Sequence, residues 1–507
     1  MTDKIKLLHA HPAAMSAPKI RAAGDAKLPG FPSSRVLSDR RGTGAASVAT
    51  STRSSRRGTR LAEIGIQPRL QAGFTLLEIM IALTLGLLLS IGIVGLFSGT
   101  SHTNRVQDGL ARLQENGRYA VARLESDLRM SRGLYCSNTS GNASTTGSVA
   151  TWSGRGPMVF APNLNLPDVG AKKVSVDASG NLSNVPATTP YVLSPRFFMQ
   201  GYRCVSGTCT PAVPSGAGQI PAAGLAAGSR VPNSDVLTIR YQRGGGWPLT
   251  VDGNCTAGGS VTVNPQAGDD PVAFSAGTGL ALISDCQNPS VLPVSGFSGN
   301  VINIGAMLPG APTCKGNALR DVRVFNFSDD FVTVSYYLAF RNDDNPDAQR
   351  NSAAAKRLIP TLIRRENGTD QELVQGVDRL DFRFGVQGAD GNSRFLSADK
   401  VNNQNGGTIT CPTKSEGVAP SPNIPAISEP GCLWRAVRVV ETHLLMNMVN
   451  DVAGLDATSR SYRYTFNATG GAAGAAVDQT ALPSGLNLSS MLRKEFIAQT
   501  ASRNYIP

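Results

Sequence analysis

A chain of 507 residues, 41% of them hydrophobic and 17% charged, has the composition of a folded protein and the length for two domains or one large elaborated domain. Its 54 glycines and 31 prolines suit a loop-rich β protein. The net charge of +12 does not favour a nucleic-acid platform, because residues 1–73 hold 13 Lys/Arg against 4 Asp/Glu and leave only +3 for everything that follows.

Residues 1–73 form a basic leader rich in Ala, Ser, Gly, Pro and Arg. Its stretch "SVATSTRSSRRGTR" has no apolar periodicity and is predicted to be disordered. No Met lies between Met15 and Met80. The leader is therefore either long in its own right or the result of a start set upstream of a non-Met codon nearer Gly73, and the second reading is favoured.

Next comes "GFTLLEIMIALTLGLLLSIGIVGLF", Gly73 to Phe97, with Glu78 as its single charge. Ile79 to Phe97 is 19 residues without a charge, which as a helix spans roughly 28 Å, close to a hydrocarbon core. Gly86, Gly92 and Gly95 interrupt it, and membranes tolerate glycines in a helix. A secretory signal is a poor match, because the apolar run is too long and the small residue, Gly73, precedes it. The basic flank places the leader on the cytoplasmic side. A lone carboxylate in hydrocarbon is costly, so Glu78 should have a partner.

Val106, Leu110, Leu113, Gly117, Val121, Leu124 and Leu128 continue as one stripe at spacings of three and four. Arg105, Asp108, Arg112, Glu115, Arg118, Glu125 and Arg129 occupy the other faces. The spacing predicts one helix of about 59 residues from Phe74 to Arg132, nearly 90 Å long. Residues 74–97 are its transmembrane part and residues 98–132 its amphipathic continuation.

From Gly133 the period becomes two. "DVLTIRYQ" sets Leu237, Ile239 and Tyr241 on one face, "FVTVSYYLAF" sets Val332, Val334, Tyr336, Leu338 and Phe340, and "LDFRFGV" sets Leu380, Phe382, Phe384 and Val386. "YRYTF" repeats the pattern with Tyr462, Tyr464 and Phe466, and Ala353 to Leu358 is a weak helical stretch. The fold class expected is α+β: a long N-terminal helix followed by a large antiparallel β-rich domain over 133–507, in one or two lobes.

All eight cysteines (Cys136, Cys204, Cys209, Cys255, Cys286, Cys314, Cys411, Cys432) follow the apolar segment. An even number beyond a membrane anchor reads as an oxidising compartment and disulfides, with buried free thiols as the alternative. The short span singles out Cys204–Cys209, and at least two bridges are expected. Catalytic chemistry is sparse. Only His102 and His443 follow the leader, too few for a triad or a His-rich metal centre. Cys204-x4-Cys209 lacks a second pair for zinc, "NDDNPD" at Asn342 to Asp347 lacks EF-hand spacing and reads as a solvated turn, and "GGG" at Gly244–Gly246 precedes Trp247 and Pro248 rather than a phosphate-cradling helix. No enzyme, cofactor or metal is expected.

The order glycine, Phe, three residues, Glu and an apolar run resembles the class III signal of type IV pilins and pseudopilins. "ARLQENGRYAVARLESDLRMSRGLYC" (Ala111 to Cys136) resembles the region after the anchor in PilW-type minor pilins. "SDVLTIRY", "SDC" at Ser284–Cys286, "LVQGVDRLDFRFGV" and "LRKEF…SRN" add to this, whereas "TGGAAGAAVDQTALPSG" fits no family pattern and the leader is longer than usual. The resemblance implies cleavage by prepilin peptidase between Gly73 and Phe74, N-methylation of Phe74, and Glu78 as the filament-assembly glutamate. It also implies a single pass through the inner membrane with a periplasmic C-terminal domain, and a place in the pilus after assembly beside other major and minor pilins and the assembly machinery. A type II secretion pseudopilin is the alternative within the same signal class; a pilus-tip adhesin or DNA-binding module is the binding alternative.

Overall fold

The structure is a computed structural model that describes residues 74–133, 144–145, 150–151, 157–166, 170–171, 173–176, 182–185, 190–192, 195–205, 207–214, 219–250, 254–265, 279–284, 289–310, 322–343, 358–410, 431–449, 464, 466 and 491–502. Its first element is the helix α1, Leu76–Met130, 55 residues without a proline and rich in Leu. Leu113, Gly117, Ala120, Leu124, Asp127 and Leu128 are buried along one face, and Val106 and Leu110 pack against the same core, so the expected stripe is the packed one apart from Val121, which is only half-buried. Burial of each leucine contributes about 1.5–3 kcal/mol.

That core is shared by two sheets. The first is antiparallel, in the spatial order Thr208–Thr210, Met199–Val205, Val236–Gln242, Phe331–Asn342, Leu358–Glu366, Thr369–Gln375. The second, also antiparallel, runs Ser393–Leu396, Val377–Gln387, Val437–Asn447, Arg493–Ala501. The alternating residues expected on one face (Leu237, Ile239, Tyr241; Val332 to Phe340; Leu380 to Val386) all join the α1 leucines. At Gly117 an added Cβ would lie 2.2 Å from the Phe496 ring, so the absence of a side chain lets the strand Arg493–Ala501 approach the helix.

A third sheet of eight strands centres on Arg323–Asn326, Gly279–Ser284 and Ser290–Ser298. It is antiparallel apart from Met158–Val159, which pairs in parallel with Ser290–Ser298. Phe197, Phe198, Phe327 and Phe331 join it to the first sheet through stacked and edge-on ring contacts, with the Arg240 guanidinium 4.6 Å from the Phe197 ring centre. The described residues from Ile79 onward belong to one compact unit.

Two expectations are corrected. Leu358 begins a strand rather than ending a helix, and Ala353 to Arg357 lie outside the described residues. Tyr464 and Phe466 belong to no strand; they cover a sheet face instead, and Tyr462 is not described.

Asp127 fixes the helix on the first sheet. The carboxylate is buried, yet it accepts hydrogen bonds from Tyr336 Oη (2.7 Å), Tyr241 Oη (3.1 Å) and Arg364 Nε (2.6 Å). Arg364 is itself buried and also pairs with Glu366. Burial first, and the adjacent carboxylate second, push the Tyr336 phenol far above its ordinary range, so it remains a donor. Beyond Met130, Arg132 adopts φ 63° and ends the helix. Arg132 N–H donates to Arg240 O at 3.0 Å, Gln242 N–H donates to Gly133 O at 2.7 Å, and Arg132 Nη1 reaches Val437 O at 2.7 Å. The end of α1 is thereby joined to both sheets.

The sheets are also joined to each other. Asp235 accepts from Cys204 N at 3.0 Å in the first sheet and from Phe382 N at 3.2 Å in the second. Arg203 bridges Asp235 and Asp381 at 3.1 and 2.7 Å. At its outer edge the first sheet ends in Thr369–Gln375, where Asp370 pairs with Arg365 at 2.8 Å and Glu372 with Arg341.

Replacing Asp127 by Ala removes the more buried of the two carboxylates that pair with Arg364 and the acceptor of Tyr336 and Tyr241, which should cost about 3 kcal/mol, the low end for a broken buried pair because Glu366 remains. Urea unfolding of the detergent-solubilised protein, followed by tryptophan fluorescence, checks this. A midpoint equal to that of the unmodified chain would refute the anchoring role.

Candidate functional site

The processing and assembly residues expected from the sequence lie at the start of α1. Gly73 is outside the described residues; Phe74 is 83% exposed. Thr75 and Glu78 exchange hydrogen bonds: Glu78 N–H donates to Thr75 Oγ1 at 3.2 Å, and Thr75 N–H and Oγ1 donate to Glu78 Oε2 at 3.1 and 3.2 Å.

From Ile79 to Phe97 every residue of the helix is exposed in the single chain. The helix is long and apolar enough to cross a membrane. Its hydroxyls turn back on the helix: Thr84 donates to Ile81 O at 2.9 Å and Ser90 to Gly86 O at 2.8 Å. That removes the cost of carrying unpaired hydroxyls into hydrocarbon. Nothing lies within 4 Å of an added Cβ at Gly86, Gly92 or Gly95, so these flat positions are open to a neighbouring helix.

The expected bridge Cys204–Cys209 is present, closing two strands whose cysteines face each other in register. A loop this short contributes about 2 kcal/mol. Cys255 is also disulfide-bonded, which makes a second bridge, and no cysteine is free among the described residues. Cys136, Cys286, Cys314 and Cys411 lie outside those residues, and of Cys432 only the backbone is described.

The sequence drew no attention to the outward face of the second sheet. There His443 Nδ1 meets Glu495 Oε1 at 2.8 Å and its Nε2 meets Glu441 Oε1 at 2.9 Å. Gln499 donates to Glu441 Oε2 at 2.7 Å, and Arg383 lies 3.5 Å from Glu441 Oε1. The rings of Tyr464 and Phe466 stand edge-on to the imidazole, and Tyr464 Oη donates to Asp381 at 2.6 Å. Burial alone would lower the imidazole pKa, but the two carboxylates outweigh it and raise the value above that of a free histidine. At Asp235 the balance goes the other way, and burial followed by the nearby Asp381 charge raises its pKa.

Two family matches bear on these features. Residues 68–94 match the prokaryotic N-terminal methylation motif, which covers Gly73, Phe74 and Glu78. Residues 347–504 match the family described as type IV pilus-assembly protein W. The two matches together support a PilW-type type IV pilin. Comparison with curated proteins and with solved structures finds no match. The second match takes in Arg364, the strand Thr369–Gln375 and the whole second sheet, while Asp127 and Asp235 lie outside it. The apolar helix and the methylation motif together fit membrane anchoring and association with a pilus.

Asp127 had a signal in the sequence, since it sits three residues after Leu124 and next to Leu128 and so interrupts the apolar stripe with a carboxylate. The partners of His443 had none. Glu441 and Glu495 are 54 residues apart and become neighbours only through the register His443↔Ile497.

Because the folded pilin raises the His443 pKa, protonation stabilises the fold fully below the unfolded value of about 6.5, and this contribution is lost as pH rises through the folded value. His443→Gln should therefore be more destabilising at pH 6 than at pH 9. Urea midpoints of the variant and the unmodified pilin at both pH values decide it, and an equal offset would refute it.

Proposed function

We propose that this pilin is a minor component of the type IV pilus that takes part in assembly and its initiation, with no catalytic activity of its own. One observation carries the reading: a single unbroken helix has its first half apolar and exposed on every face and its second half fastened to the sheets through Asp127 and Arg132. Such a molecule cannot bury its apolar half by itself. A bilayer covers that half first, and neighbouring helices cover it after assembly.

In this reading prepilin peptidase cuts between Gly73 and Phe74 and methylates Phe74. The chain then sits as a single pass in the inner membrane with residues 133–507 in the periplasm, in keeping with their disulfides. The assembly machinery transfers it into a bundle with major and minor pilins, where Glu78 meets the Phe74 amine of an adjacent subunit. That pairing neutralises the charge in the apolar segment and sets the axial register.

Two experiments test it. Gly73→Trp should leave uncut precursor in the membrane, whereas intact mass of the unmodified chain in sheared filaments should begin at a methylated Phe74; normal maturation of the variant would refute the cleavage site. Glu78→Ala removes the only charge of the segment and leaves insertion unaffected. An amine left unpaired among packed helices should cost several kcal/mol, so the variant should be processed and membrane-resident but absent from filaments. Normal piliation at unmodified protein level would overturn the mechanism.

A further inference from the structure

The start of α1 contains a residue pair, Thr75 and Glu78, of which the pilin reading uses only the glutamate. Thr75 and Glu78 are three residues apart at the first turn, the spacing at which each side chain can meet the other's backbone N–H. Both exchanges are made, and the threonine hydroxyl adds a third bond to the carboxylate. All three engage Glu78 through its own amide or through Oε2; among the described residues Oε1 accepts no hydrogen bond. The pair therefore divides the carboxylate of this exposed residue, with Oε2 committed to its own helix and Oε1 outside those bonds.

Two physical consequences follow. The first-turn N–H groups of a helix have no partner within it, and a bilayer supplies little water to satisfy them. Thr75 and Glu78 satisfy two of them from within the segment. Moreover, an unrestrained glutamate side chain occupies many rotamers, and docking on a partner would have to select one. The bonds from Thr75 make that selection in advance.

We propose that Thr75 is a positioning residue for filament assembly: it holds Glu78 Oε2 against the first turn and presents Oε1 to the cationic amine of an adjacent subunit. This rests on the assembly reading above and adds the residue that orients its carboxylate. It also accounts for how Glu78 is accommodated before any neighbour arrives, since the carboxylate already has two donors in its own chain.

The test uses the full processed chain. Thr75→Val keeps the shape and removes the hydroxyl; Thr75→Ser keeps the hydroxyl. Amide hydrogen exchange at Glu78 is measured in lipid nanodiscs, and the amount of each variant in sheared filaments is measured at matched membrane levels, with N-terminal mass confirming processing. Thr75→Val should speed exchange at Glu78 and lower filament content, each by about five- to tenfold, the size of one lost cap, while Thr75→Ser stays within about twofold of the unmodified chain. The proposal is overturned if Thr75→Val exchanges as slowly as the unmodified chain, or if Thr75→Ser is as impaired as Thr75→Val. It is equally overturned if Thr75→Val loses protection yet enters filaments normally, for then the cap is only structural. Absence of the unmodified chain from filaments would instead sink the assembly reading. The exchange contrast would still report whether Thr75 holds Glu78, which keeps the two failures apart.

Discussion

A carboxylate in the seam between a helix and a sheet is tolerated only where its charge and its lone pairs are met, and Arg364, Tyr336 and Tyr241 meet those of Asp127. Such a group adds little net stability compared with well-packed hydrocarbon, but displacing it from its partners is costly. Rotation of α1 by one residue, about 100°, would carry Asp127 out of reach of all three. The interaction thus sets which face of the helix is buried, and with it the positions of Leu113, Leu124 and Leu128. The hydrogen bonds of Arg132 then fix where the helix stops.

With α1 set in this way, the two sheets beneath it must meet along a common surface. Gly117 allows the strand Arg493–Ala501 to approach, and Asp235 ties the backbones of both sheets through one carboxylate. The result is a helix that faces two different media. Its second half packs against the two sheets, while nothing among the described residues covers Ile79 to Phe97. The pilin reading follows from that asymmetry more than from any single residue.

Much of this architecture was legible in the residue pattern because it depends on local period. The stripe from Val106 to Leu128 and the alternating faces of "FVTVSYYLAF" and "LDFRFGV" needed only the repeat lengths of helix and strand. Other features depend on contacts between distant residues. Asp127 lies 237 residues from Arg364, and nothing near either one announces the pairing. "YRYTF" had the alternation of a strand, but Tyr464 and Phe466 instead rest on His443 and Asp381, where tertiary packing overrides the period. The hairpin bridge Cys204–Cys209 was legible because its partners are close in sequence, and Cys255 shows a second bridge without its partner being readable from spacing.

The edge strand Thr369–Gln375 bears on how such a molecule avoids joining its neighbours wrongly. No strand pairs with its outer side among the described residues, so its backbone is a template on which another chain could add a strand. Asp370 and Glu372 alternate along it and are held by Arg365 and Arg341, so an incoming apolar strand would have to strip paired charges from the rim. At the opposite rim the strand Thr208–Thr210 is short and stapled by its disulfide. Lateral growth of amyloid type is thereby discouraged at both rims, which leaves the exposed apolar half of the helix as the surface on which the proposed assembly would have to rely.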